Sequence, residues 1–244
     1  MGQTGCIMHL KKINIDPEKF PTREQYPFNL DIFIKTRTIS LDLPVSFFVG
    51  ENGSGKSTLL EAIAQRCGIH IWRGIQTPRF QSSPYEDKLY HAVSVEWEAG
   101  EVPGSFFAAQ IFQNFSSILD GWAQTDPEII GYFGGKSLTA QSHGESLMSF
   151  FKARFGIQGL YLLDEPETAL SPKSLLELLQ LLIQMSRAGH AQFIIATHSP
   201  ILMACPQAAI FSFDQSPLRT IEYEKTEHYQ LYKHFMQDRE RYIT

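Results

Sequence analysis

The stretch Gly50-Glu51-Asn52-Gly53-Ser54-Gly55-Lys56-Ser57 constrains this 244-residue chain more than any other. It fits the pattern G-x-x-x-x-G-K-[ST], and its flanks supply the context that the pattern needs. Before it, Pro44-Val45-Ser46-Phe47-Phe48-Val49 is a short apolar run, the profile of a buried strand. After it, Ser57-Thr58-Leu59-Leu60-Glu61-Ala62-Ile63-Ala64 carries apolar residues at helical spacing, and the segment stops at Gly68. Strand, glycine-rich turn and helix in that order let backbone N–H groups converge on phosphate oxygens, with the positive end of the helix behind them. Glu51, Asn52, Gly53, Ser54, Gly55, Lys56, Ser57 and Thr58 are therefore the candidate nucleotide contacts. Lys56 is expected to reach the β- and γ-phosphates, and the Ser57 hydroxyl to ligate Mg2+.

Two further apolar runs end in polar clusters. Gly159-Leu160-Tyr161-Leu162-Leu163 reads as a buried strand that ends in Asp164-Glu165, with Pro166-Glu167 beyond. Asp164 is placed to hold magnesium, directly or through water, and Glu165 to orient and deprotonate an attacking water. Ser171 then caps a helix with Pro172 at its first position, and Gly189 closes it. Leu175, Leu176, Leu178, Leu179, Leu181, Leu182 and Ile183 surround most of that helix, so burial on several sides is expected. Gln192-Phe193-Ile194-Ile195-Ala196 is a third strand, followed by Thr197-His198-Ser199-Pro200. A lone histidine after an apolar strand suits a structural role. Beside two phosphate-type strand ends, His198 reads instead as a sensor of the γ-phosphate. Strands alternating with helices imply an α/β fold, a mostly parallel sheet covered by helices with its chemistry at the carboxyl ends of the strands.

The middle of the chain carries weaker patterns. His91 to Trp97 alternates like a half-exposed strand, Gly104 to Ala109 looks like another, and Asp126-Pro127-Glu128 starts a short helix. Gln141-Ser142-His143-Gly144-Glu145-Ser146 precedes an apolar helix from Leu147 to Phe155. It serves as an N-cap with a capping acid, or as an anion-binding helix start that offers the Ser142 hydroxyl and the Gly144 N–H to a phosphate.

In its order this set resembles the ATP-binding-cassette (ABC) superfamily: phosphate loop, signature, acidic strand with D-E-P, switch histidine. The signature there is LSGGQ or LSGGE; here it is Gln141-Ser142-His143-Gly144-Glu145. Thr168-Ala169-Leu170-Ser171 stands where that superfamily has its dimer-contacting D-loop. GENGSGKST and ATHSP are most similar to the soluble SMC-like and RecF-like branch. Nearly the whole chain is similar to a small bacterial family of stand-alone AAA- or ABC-like ATPases, through FFVGENGSGKSTLLEAIA, QSHGES, GLYLLDEPETALSP, QFIIATHSPIL and TEHYQLYKHFMQDRERY. The resemblance implies a P-loop NTPase of ABC type, one domain over 1–244 with a small inserted lobe at about 69–157. It implies Mg2+-dependent ATP hydrolysis in a head-to-tail homodimer, coupled to an unidentified partner protein. Ser142 and Gly144 of one chain would cover the γ-phosphate held by the other. His143 departs from the usual glycine. The magnesium-ligating glutamine is Gln110 after the Ser105–Ala109 strand, with Gln81 as the alternative. Tyr26 and Phe28 are either adenine contacts or core residues.

Composition narrows the role. With 43% hydrophobic and 19% charged residues, the chain has material for a core and is not a disordered one. Lys and Arg total 21 against 26 Asp and Glu, a net charge of -5 that argues against a generic nucleic-acid coat. A repair or defence ATPase acting on nucleic acid remains an alternative, as does the ATP-binding subunit of a transporter. No apolar run reaches the roughly 18 residues of a membrane span, so a transport role needs a separate permease. Cys6, Cys67 and Cys205 form no CxxC pair, and the start MGQTGCIMHLKK lacks the apolar core of a signal peptide. Both point to a reducing, cytoplasmic setting. No sustained heptads separate Gln110 from Ser142, so no SMC-type arm is expected. The helix Thr226 to Arg241, with Leu231 and Phe235 on one stripe, either docks a partner or packs on its own domain.

Overall fold

The apolar runs of the sequence become the centre of a six-stranded sheet in a computed structural model that describes residues 8–71, 83–109 and 143–243. Its order is β5 (Gly104–Ala108), β6 (Gly159–Asp164), β7 (Ala191–Ala196), β3 (Val45–Val49), β8 (Ala208–Ser212) and β9 (Arg219–Thr220). Only β9 runs antiparallel to its neighbour. β3 and β7 are buried along their whole length, and β6 in all but Asp164, because both faces of the sheet are covered.

Successive side chains divide between the two faces. Phe47, Tyr161, Leu163, Phe193 and Ile195 pack under α3 (His143–Phe155) and α4 (Pro172–Ala188). There the rings of Phe151, Phe155, Tyr161 and Phe193 lie with centroids 4.9 to 5.5 Å apart. Phe48, Leu160, Leu162, Ile194 and Ala196 face the opposite core, which α1 (Asp31–Lys35) and α2 (Lys56–Arg66) fill. Beyond α2 lies a second, antiparallel sheet, β2 (Thr38–Ser40), β1 (Leu10–Ile15) and β4 (Val93–Trp97).

The strand that precedes Gly50 is thus the third among the described residues, not the first. Sequence pattern hides β1 because Lys11 and Lys12 interrupt its apolar residues; both reach outward to Glu98 and Glu96. α3 begins at His143, so Gly144, Glu145 and Ser146 lie within its first turn rather than ahead of it. α4 keeps the predicted Ser171 cap and Gly189 stop, with Leu175, Leu178, Leu179, Leu181 and Leu182 buried. Leu176, however, is 53% exposed, so one side of that helix meets solvent. After the short α5 (Pro200–Met203), α6 spans only Glu227–Gln237 and breaks at Asp238 before a 3-10 turn. Its first turn is capped by Thr226, while Leu231 and Phe235 stay exposed. The helix suggested at Asp126-Pro127-Glu128 lies outside the described residues.

One buried amide joins the two sheets. Gln192 of β7 accepts the N–H groups of His9 (3.0 Å) and Leu10 (2.7 Å) and donates to the Leu10 carbonyl at 2.8 Å. Replacing Gln192 with Leu leaves all three buried backbone groups unpaired. The expected loss is about 3 kcal/mol, read as a lower urea midpoint at unchanged slope. A shift below about 1 kcal/mol would show that solvent reaches these groups.

Candidate functional site

Strand register decides which residues meet. Phe48 pairs with Ala196 and with Phe211, and Asp164 pairs with Ala196. The segments after β3, β6, β7 and β8 therefore leave the sheet along one edge, its carboxyl edge. Backbone bonds tie them together: Glu165 N to Ala196 O (2.9 Å), Thr197 N to Phe48 O (3.1 Å) and Phe213 N to Val49 O (2.8 Å). Gly50, Glu165, His198 and Asp214 sit on this edge because chain and register leave them nowhere else.

Two glycines of the loop are required by geometry. Gly50 adopts φ 143°, and a Cβ there would lie 2.7 Å from Asp214 Oδ1. Gly55 adopts φ 102°, and a Cβ there would lie 2.8 Å from Phe33 Cζ. Asp214 in turn accepts the Glu51 N–H at 2.8 Å, which pins the start of the loop. Lys56 is 4% exposed and donates to the carbonyls of Gly50 (2.7 Å) and Glu51 (2.8 Å). Burial pulls its pKa below the usual lysine range, opposed by the charges of Glu165, Asp214, Asp164 and Glu51.

At the start of α2 the Ser57 hydroxyl donates to Asp164 Oδ1 at 2.9 Å. Burial pushes the Asp164 carboxyl up to about 7, with the Ser57 bond and Lys56 opposing and Glu165 and Glu61 adding to the rise. Ser54 Oγ is buried without a hydrogen-bond partner among the described residues. Thr58 Oγ1 hydrogen-bonds the Tyr26 hydroxyl. Tyr26, Asn52, Gly53, Gly55, Lys56, Ser57, Thr58 and Glu165 line one pocket. Phe28 does not reach it; at 1% exposure it packs on Phe20 and Tyr85 as a core residue.

Glu165 has a left-handed backbone, φ 47° and ψ 53°, and starts the 3-10 turn Pro166–Ala169. Its Oε1 stands 3.6 Å from His198 Nε2, too far for a hydrogen bond, and that nitrogen is buried without another partner among the described residues. The His198 N–H donates to Glu167 Oε1 at 2.5 Å, and His198 Nδ1 lies 2.8 Å from His228 Nε2. Burial holds the His198 pKa below the ordinary histidine range, helped by Lys56 and His228.

Lys56, Ser57, Asp164, Glu165 and His198 therefore converge. Gly144 does not join them: it lies in the first turn of α3, facing Ser174 of α4, outside the pocket lining. Ser142, Gln110 and Gln81 lie outside the described residues. Sequence reasoning missed the supporting partners Asp214, Glu167 and His228. Glu167 stood in view beside Asp164-Glu165, but its bond to His198 spans 31 residues, and nothing in the local sequence marks His228.

Residues 139–204 match the family model described as "AAA domain, putative AbiEii toxin, Type IV TA system", and residues 28–68 match a second AAA-domain model. No curated protein sequence matches the chain. Among solved structures, one described as "an inward-facing conformation of a putative metal-chelate type ABC transporter" is 17% identical. That match covers 92% of this chain and 88% of the other, with a TM-score of 0.54. An SMC head bound to the C-terminal winged-helix domain of ScpA is 14% identical over 89% of this chain and 99% of the other, with a TM-score of 0.51. The mostly parallel α/β sheet is thus the fold of these ABC- and SMC-type structures, and AAA-type models match the segments that hold Gly50–Ser57 and Asp164-Glu165.

Proposed function

We propose that this chain binds ATP with Mg2+ and hydrolyses it, in a head-to-tail homodimer closed around the nucleotide and coupled to a partner protein. The observation that carries the reading is the 2.9 Å bond to Asp164 from Ser57, which lines one pocket together with Lys56 and Glu165. These residues fit a magnesium ion. Asp164 is desolvated and raised to about 7 next to a second carboxylate, a state that a cation relieves. Ser57 and Asp164 would hold Mg2+, with Gln110 as a third ligand; when bound, the ion neutralises phosphate charge.

The chain's own groups do the rest. The loop N–H groups and Lys56 hold the phosphates, and Lys56 exchanges two carbonyl partners for phosphate oxygens. Glu165 orients a water and takes its proton at the carboxylate. His198 Nε2, buried and unpartnered among the described residues, faces the same space and suits a contact to the γ-phosphate. The position of Gly144 away from the pocket of its own chain suits delivery, with Ser142, to a second copy's nucleotide. No helix among the described residues is long and apolar enough to cross a membrane.

Removing the metal tests the reading. With EDTA, or in Asp164→Asn, ATP turnover is expected to fall at least about 100-fold while the fold is retained. Equal turnover with and without Mg2+ would exclude it.

A further inference from the structure

We infer that His228 is a positioning residue that fixes the tautomer of His198, so that His198 presents an N–H to the nucleotide pocket. The inference rests on the ATPase reading above and extends it to a residue 30 positions away, on the C-terminal helix. His198 Nδ1 and His228 Nε2 are 2.8 Å apart, and their ring centroids are 4.9 Å apart. One of these nitrogens must donate and the other accept. If His198 donated, its Nε2 would aim a lone pair at the Glu165 carboxylate 3.6 Å away, acceptor against acceptor. If His228 donates, His198 Nε2 carries the proton and meets a carboxylate, or a phosphate oxygen, with a donor. Electrostatics selects the second arrangement.

The rest of the structure holds His228 in place for this task. Thr226, 2% exposed, caps α6 by accepting the Tyr229 N–H, and its hydroxyl donates to the Tyr223 carbonyl at 2.7 Å. The Tyr223 hydroxyl donates to Pro200 O at 3.0 Å, and its ring packs on Tyr229 at 4.6 Å. The first turn of α6 is thereby fastened to the segment that carries His198. The His198 N–H bond to Glu167 fixes the backbone of the acceptor ring. Only the ring rotation and tautomer are left, and His228 sets both.

The test compares His228→Phe, which keeps the ring and loses the donor, with His228→Gln, whose amide N–H donates at similar reach. Nitrogen-15 spectra of the His198 ring, assigned by its loss in His198→Gln, report the tautomer without any turnover. The wild type is expected to show an Nε2–H ring, and His228→Phe a mixture. Turnover in His228→Phe should fall about tenfold, as for loss of a partner that orients a functional histidine. The KM for ATP should stay within about twofold, and His228→Gln should restore most of the rate. The double variant His198→Gln/His228→Phe should be no slower than His198→Gln alone. An unchanged tautomer in His228→Phe, or an unchanged rate, overturns the inference. A wild-type protein that hydrolyses no ATP overturns the reading of the site instead, and the tautomer measurement still decides the pair.

Discussion

Glu165→Gln is expected to slow ATP hydrolysis by about 10²–10⁴-fold while leaving nucleotide binding intact. The substitution is a clean one. Glutamine keeps the shape of the side chain and pays the same cost as glutamate for the left-handed backbone at φ 47°, so the turn into Pro166–Ala169 is undisturbed. It removes the one carboxylate that lines the pocket among the described residues, and with it the acceptor for a proton from water. It also removes a charge that raises Asp164, so the Asp164 carboxyl ionises more readily in the variant. A site that still binds ATP and cannot cleave it accumulates in the closed state. Light scattering with saturating ATP and Mg2+ should therefore show twice the monomer mass for Glu165→Gln, and the monomer mass without nucleotide. A variant that turns over at the wild-type rate removes Glu165 as the base. One that stays monomeric with ATP bound removes the shared site between two chains.

The parts of this site that sequence reveals are those whose chemistry is local. A phosphate loop needs its glycines, lysine and serine at fixed spacing, and β3, β6 and β7 are buried on both faces, so they read as unbroken apolar runs. Each polar cluster then falls at a strand end, and the register of a parallel sheet brings those ends together. What escapes is whatever depends on distant pairing. β1 carries Lys11 and Lys12 and owes its place to Gln192, 182 residues away from Leu10. Asp214 shapes the loop only because β8 pairs with β3, and His228 reaches His198 only because α6 folds back over α5. Phe28 and Tyr26 make the same point from two neighbouring positions: both are aromatic, yet one is sealed in the core and the other lines the pocket. Local pattern cannot separate them, because the difference lies in what packs against each ring.

Lys56→Met should abolish nucleotide binding without weakening the empty protein. In the empty site the ammonium is 4% exposed and held by two carbonyls of its own loop, an arrangement whose desolvation cost is visible in its lowered pKa. An uncharged side chain of similar volume does not carry that desolvation cost, which outweighs the pull of Glu165, Asp214, Asp164 and Glu51 on the ammonium. Against this stands the loss of two hydrogen bonds, about 1 kcal/mol each, softened because Glu51 is exposed and water can take its carbonyl. The two effects nearly cancel, so the thermal midpoint without ATP should stay within a few degrees of wild type. With ATP at about 100 times its dissociation constant, the wild type gains about 2.7 kcal/mol, a rise of roughly 5–10 °C for a domain of this size. Lys56→Met should show none of that rise, because losing a buried cation from a phosphate site costs about 2–5 kcal/mol of binding. A melting curve with and without ATP therefore separates the two roles of one side chain. If Lys56→Met melts far below wild type in the absence of nucleotide, Lys56 is a strut of the loop, and its loss of binding says nothing about phosphate. If the ATP-induced rise survives, the phosphates are held by the backbone cradle alone and Lys56 is not their ligand.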